Sequence, residues 1–396
     1  MQIHTKLPGE SLQDIAVKYG ISEGELRAIN QIGEGEAAEG EELLILYPTR
    51  SYTVQHGDTP EGIALRFGIR KNDLYMLNPW LYDAPFRAGQ KIALKYGERR
   101  GGMAVANGYC FKGCDKRALG RALPYLTYVT FAAAVADRRG VHRSVDFRKE
   151  AKMVVDERKI PLLRVYDRYT ERYLCGEDHA KFAEAMISLA IADGYKGLVI
   201  NSCPLSNSAE EFIDFLMILR KRMIGCDLIL ITEIDENSPL EFSEYADGSV
   251  MYYPKFAMDD PPSFEDGERR ILSDFACRAE SAKTFIDLPS VVRHDGDFLS
   301  HGELRRQARK RGYKARVDEN TLLSHVSDGK QGEYCFASMK CIKALLDLTS
   351  EFDYMGISFD VMRTPLSHIM MYNSMFKTSY LSSVRTREGC SRAGEE

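Results

Sequence analysis

The stretch Asp193-Gly194-Tyr195-Lys196-Gly197-Leu198-Val199-Ile200-Asn201-Ser202-Cys203 fixes how the rest of the chain is read. Residues 197–202 form a short apolar, β-branched run, and an amphipathic helical pattern over 180–193 leads into it. The same alternation extends in both directions. Strand-like runs lie at 103–109, 126–134, 161–166 and 197–202, then at 228–233, 249–253, 284–288 and 354–359. Helical patterns at 147–157, 180–193, 209–223 and 338–348 fall between them. Eight strands alternating with helices over about 275 residues predict a TIM (β/α)8 barrel. Residues 290–334 read as an insertion between the seventh strand and its helix. In such barrels, function sits at the strand C-terminal ends.

Ahead of the barrel, residues 98–102, Glu-Arg-Arg-Gly-Gly, read as a polar linker. Before that linker the sequence repeats itself with a period of 48 residues. Ile15-Ala16 recurs as Ile63-Ala64, Tyr19-Gly20-Ile21 as Phe67-Gly68-Ile69, Leu26 as Leu74 and Asn30 as Asn78. Each unit has the order strand, helix, helix, strand. Gly57-Asp58-Thr59 turns the chain and caps the next helix, and Gly68 stops it. The overall class is α/β. Two βααβ modules at 1–48 and 51–97 precede a barrel over 103–377, and 378–396 reads as a mobile polar tail.

The second repeat carries Tyr52-Thr53-Val54-Gln55-His56-Gly57-Asp58-Thr59, then Ile63-Ala64-x-x-Phe67-Gly68-Ile69, Asn78-Pro79 and Ala88-Gly89-Gln90-Lys91-Ile92. This pattern resembles a LysM domain, and the first repeat is a looser copy. The resemblance implies binding of an N-acetylglucosamine polymer, peptidoglycan or chitin, between two loops of each module. By position these are Gly9, Glu10, Ser11 and Leu12 with Asn30, Gln31 and Ile32. In the second module they are Gly57, Asp58, Thr59, Pro60 and Glu61 with Asn78, Pro79, Trp80 and Leu81. Gly57, Asp58 and Thr59 would serve turn and cap geometry even without a ligand. Trp80, the sole tryptophan, offers either a flat face for sugar or a packed anchor. Two modules in tandem would bind by avidity.

The barrel resembles glycoside hydrolase family 18. Residues 193–203 align with that family's Gly-Tyr-Asp-Gly-x-x-Ile-Asp-x-Glu segment, 126–131 with its second strand, Met251-Tyr252-Tyr253 with its Met-x-Tyr, and 355–360 with its last strand. The resemblance implies acids at four positions, and this chain has Lys196, Val199, Asn201 and Cys203 there. The last position should be the proton donor. Cys203 is a poor donor to a leaving alkoxide. Asn201 could still hydrogen-bond an acetamide, and Asp360 replaces the Trp that floors the sugar subsite.

These substitutions imply a barrel that binds without cutting, with no catalytic residue assigned and Tyr253 and Asp360 in its cleft. The rival reading is an active N-acetylglucosaminidase. It would rest on a site rebuilt from Asp167, Glu233, Asp235 and Asp360, or on Cys203 with His142, His179 or His294 as base. Tandem LysM modules before such a barrel are the layout of spore-cortex glucosaminidases, which implies a spore-envelope or cell-wall setting and admits spore-coat partners.

The remaining signals are exclusions. Lys plus Arg total 53 against 58 Asp plus Glu, a net charge of −5 that argues against a nucleic-acid binder. No stretch suits a membrane span, and residues 1–10 lack an apolar signal core, so cytoplasmic synthesis is expected. Nine cysteines suit reduced thiols, and Cys110-Phe111-Lys112-Gly113-Cys114 lacks a second Cys/His pair at zinc spacing. The reading calls for no cofactor and no metal.

Overall fold

The computed structural model describes residues 1–82, 86–97, 103–137, 139–167, 179–201, 209–235, 238, 244–252, 262–278, 281–294, 297–327 and 333–378. The linker at 98–102, Cys203, Tyr253 and the tail from 379 lie outside them, as do the side chains of Asp167 and His294.

The eight expected strands all form. They are Met103–Cys110 (β1), Tyr128–Asp137 (β2), Ile160–Asp167 (β3), Gly197–Asn201 (β4), Ile229–Ile234 (β5), Gly248–Met251 (β6), Thr284–Asp287 (β7) and Gly356–Asp360 (β8). Each pairs in parallel with its neighbour, and β8 pairs with β1, so the sheet closes. Val105, Tyr109, Tyr128, Leu162, Val199, Ile231, Val250 and Phe285 fill the interior. The alternate residues, such as Leu198 and Ile200 on β4 or Ile357 and Phe359 on β8, belong to the core between strands and helices. Gly197 is where two strands crowd: a Cβ there would lie 2.4 Å from the Ile229 carbonyl oxygen and 2.7 Å from Leu162.

Two boundaries differ from expectation. The described residues of the insertion, 291–294, 297–327 and 333–337, form a five-stranded antiparallel sheet with the helix His301–Arg311. Its polar, strand-rich sequence gives no barrel periodicity because it packs on its own small core around Leu304, Tyr313 and Val326. The first strand of the second repeat is Pro48–Thr53, paired antiparallel with Lys91–Tyr96, so it starts before the expected residue 51. The strand pair of the first repeat is Gln2–Thr5 with Glu42–Ile45.

The local chemistry of the repeats explains their helices. Ser11 accepts from the Asp14 amide and the Asp14 carboxylate accepts from the Ser11 amide, a reciprocal cap on Leu12–Tyr19. Thr59 caps Pro60–Phe67 through the Gly62 amide at 3.0 Å. Gly20 and Gly68 end these helices in the left-handed conformation.

The first repeat is docked on the barrel and its insertion. Arg309 pairs with Glu41 at 2.7 Å, with Arg305 also 3.6 Å from that carboxylate. Glu42 accepts the Met339 amide at 2.6 Å, placing a carboxylate at the N-terminus of the helix Met339–Glu351. The Ala315 amide donates to the Glu39 carbonyl at 2.8 Å. The backbones approach so closely that a Cβ on Gly40 would lie 1.8 Å from the Ala315 oxygen.

Candidate functional site

In both repeats the loop before the last strand is built on a buried asparagine. Asn78 donates to the Leu74 and Ala93 carbonyls at 3.0 and 2.7 Å and accepts the Ala93 amide at 2.8 Å. Asn30 does the same with Leu26 and Leu44. These side chains clamp helix to strand, so their amides are engaged by the fold. Leu12, Ile32 and Leu81 are buried in the repeat cores, which leaves only their backbone near a groove.

The facing loops are also self-bonded. Glu10 accepts from His4 and from the Leu7 amide, and Asp58 accepts from Tyr52 and from the Gln55 amide at 2.7 and 2.8 Å. Glu61 pairs with Lys71. Gly9 and Gly57 turn the chain at φ +74° and +83°, a conformation that favours glycine. What the loops offer a ligand is therefore chiefly backbone, with Gly57, Thr59 and Glu61 exposed.

The two second loops meet the barrel. Gln31 accepts from the Leu366 amide at 2.9 Å through its side chain and from Arg309 through its carbonyl. Pro79 is buried, and Trp80 is half-buried between the core of the second repeat and the barrel's helix layer. Pro60 opens the helix Pro60–Phe67 at its first turn.

At the barrel mouth, the inward positions that end the strands make a second polar constellation. Glu233 on β5 is fully buried. Arg164 on β3 grips it with Nε at 2.6 Å and Nη2 at 2.7 Å. Tyr109 on β1 donates to it at 2.8 Å and Tyr252, just past β6, at 3.3 Å. Burial and the neighbouring Glu233 push both phenols well above their usual pKa, which keeps them protonated donors. Asp287 on β7 receives a hydrogen bond from Ser358. Behind Ser358 run Asn107, at 3.3 Å, and Thr130, which donates to Asn107 at 2.8 Å. Loss of solvent, then repulsion from Glu233 and Asp360, pushes the Asp287 carboxyl well above its ordinary range.

The positions read from sequence sort differently. Val199 is barrel core, Lys196 precedes β4, and Asn201 ends it half-buried. Asp360 turns back on its own loop and accepts the Met362 and Arg363 amides at 2.8 and 3.0 Å; burial raises its pKa. Asp235 exchanges hydrogen bonds with Ser238 in a local turn. His142 sits in the hairpin strand Gly140–Arg143 near Asp137, and the His179 ring packs against Phe215 in the helix layer. Arg164, Tyr109, Tyr252 and Asp287 were not singled out by the sequence reading. Counting in twos from Leu162 and Phe285 would have placed Arg164 and Asp287 on the inward face. Among the described residues, no cluster of three or more His, Cys, Asp or Glu side chains is arranged to hold a metal ion.

Comparison with known proteins agrees with both halves. The LysM domain family matches residues 7–45 and 52–95. A putative sporulation-specific glycosylase of Bacillus subtilis, YdhD, is 36% identical over 94 residues, which is 24% of this chain and 22% of that protein. The spore cortex-lytic enzyme SleL of Bacillus cereus superposes with a TM-score of 0.72 at 18% identity, covering 96% of this chain and 98% of its own. A chitinase from Chromobacterium violaceum superposes at 0.61 and 14% identity over 69% of this chain and 98% of its own. Residues 7–45 and 52–95 thus match the LysM domain family, and the barrel that follows has the fold of the cortex-lytic enzyme and the chitinase.

Proposed function

We propose that the protein holds on to an N-acetylglucosamine polymer through its LysM loops, and that its barrel serves as a binding or scaffold module that does not cut the chain. The observation that carries this reading is the contrast at β4. Val199 is packed in the core and Asn201 ends the strand, where hydrolysis would need carboxylates. Glu233, the buried acid nearest in kind, is committed to Arg164 and two tyrosines. The likeness to proteins named for sporulation and spore-cortex lysis supports peptidoglycan of the spore envelope as the polymer.

Hydrogen exchange of the full chain with and without chitotetraose tests the assignment. Slowed exchange at 9–12 and 57–61 is the expected result. Protection confined to the ends of the barrel strands would move the binding site to the barrel.

One observation favours a second reading, an N-acetylglucosaminidase with a relocated acid. Asp287 holds its proton well above the ordinary carboxylate range at the barrel mouth, as a general acid must. Release of reducing ends that Asp287→Asn abolishes would establish it.

A further inference from the structure

Cys110 ends β1 and is fully buried, while Cys114 is half-buried at the other end of a tight turn. The turn is closed by the Cys114 amide donating to the Phe111 carbonyl at 2.9 Å, and Gly113 takes φ +95°. This brings the two sulfurs to 3.3 Å. A disulfide needs about 2.0 Å, so closing the bond calls for a shift on the order of 1 Å in a surface turn. Among the described residues, the pair is not part of a group of three or more His, Cys, Asp or Glu side chains that could hold a metal ion.

The turn also joins two parts that matter. Phe111 stacks on Tyr109 at 5.8 Å, and Tyr109 is a donor to Glu233. Immediately after Cys114, Asp115 caps the helix Lys116–Ala122.

We propose that Cys110 and Cys114 form a reversible redox dithiol at the barrel mouth, oxidised by a low-molecular-weight disulfide. The unequal exposure assigns the roles. The Cys114 thiolate attacks one sulfur of the small disulfide, forms a mixed disulfide and expels the first small thiolate. Cys110 then gives up its proton to solvent or to that thiolate. Its sulfur attacks Cys114 Sγ, the protein S–S bond forms, and the second small thiolate leaves. Two protein thiols are oxidised and one small disulfide becomes two thiols. Burial raises the Cys110 pKa, which makes the second step the slower one. A ring this small gains little from restricting the unfolded chain, so the bond stays easy to reduce.

Lys112 stands between the two cysteines, which gives the test a clean readout. The full-length protein is equilibrated in glutathione buffers from fully reduced to fully oxidised, alkylated, denatured and cut with trypsin. In oxidising buffer the peptide ending at Lys112 should remain joined to the one running from Gly113 to Lys116, and a dithiol reductant should separate them. Cys114→Ala should leave Cys110 alkylatable after denaturation, with no adduct. Complete alkylation of both residues after oxidising buffer would overturn the proposal. So would a lasting glutathione adduct on Cys114 with Cys110 still reduced.

Discussion

The two LysM repeats and the barrel mouth meet the same problem, polar groups in a nearly dry setting, in different ways. In the repeats, one residue type recurs at one position: Asn30 and Asn78 each make the same three hydrogen bonds 48 residues apart. At the mouth the charged residues come from four strands and find different kinds of partner: Arg164 on β3 pairs with Glu233 on β5, Asp287 on β7 accepts from Ser358, and Asp360 on β8 accepts from its own loop's amides. The residues that fill the barrel and the charged groups above them are thus separate sets. The repeats preserve a pattern because it is structural. At the mouth, Arg164, Tyr109 and Tyr252 satisfy Glu233, and Asp360 is satisfied by the amides of its own loop.

The largest expected effect would break the mouth. Arg164→Met leaves Glu233 buried without its cation, and removing one member of a buried pair costs about 3–5 kcal/mol. Urea unfolding should show that loss, whereas an effect below about 1 kcal/mol would mean that solvent reaches Glu233 freely. The clamps come next. Asn78→Ala strands buried backbone groups of Leu74 and Ala93, and about 2 kcal/mol should be lost from the second repeat. Amide exchange within 52–95 is the measurement, and unchanged protection there would show that Asn78 is free for a ligand.

The smallest effect has the opposite sign. Asp287 holds its proton more tightly in the folded state than in the unfolded one, so stability falls as pH rises from the ordinary aspartate value of 3.8 through the raised one. Asp287→Asn removes that cost. The variant should be more stable than the parent at neutral pH, with the gain vanishing below pH 3.8. A variant less stable at every pH would mean that the carboxylate is needed by Ser358 and its neighbours.

Much of this was legible in the sequence because it is periodic or local. The eight strands announced themselves as apolar runs between helical patterns, and Ser11 and Thr59 sit where helix caps belong. The Arg164–Glu233 pair was hidden because 69 residues separate its members and only the closed sheet brings them together. Tyr252 reaches Glu233, which a motif match could not foretell because a strand alternates its faces and the motif says nothing of which face is inward. The docking of Glu41 and Glu42 is not legible in the sequence, as their partners lie about 270 and 300 residues away.

The central claim is that the glycan is held at the LysM loops and left uncut by the barrel. The most direct test incubates the purified full-length protein with insoluble peptidoglycan and with chitooligosaccharides, and follows sedimentation and reducing ends together. The account predicts that the protein pellets with the polymer while reducing ends stay at the level of a buffer blank. Reducing ends released by the parent and lost in Asp287→Asn, Glu233→Gln or Asp360→Asn would contradict it and make the barrel an enzyme.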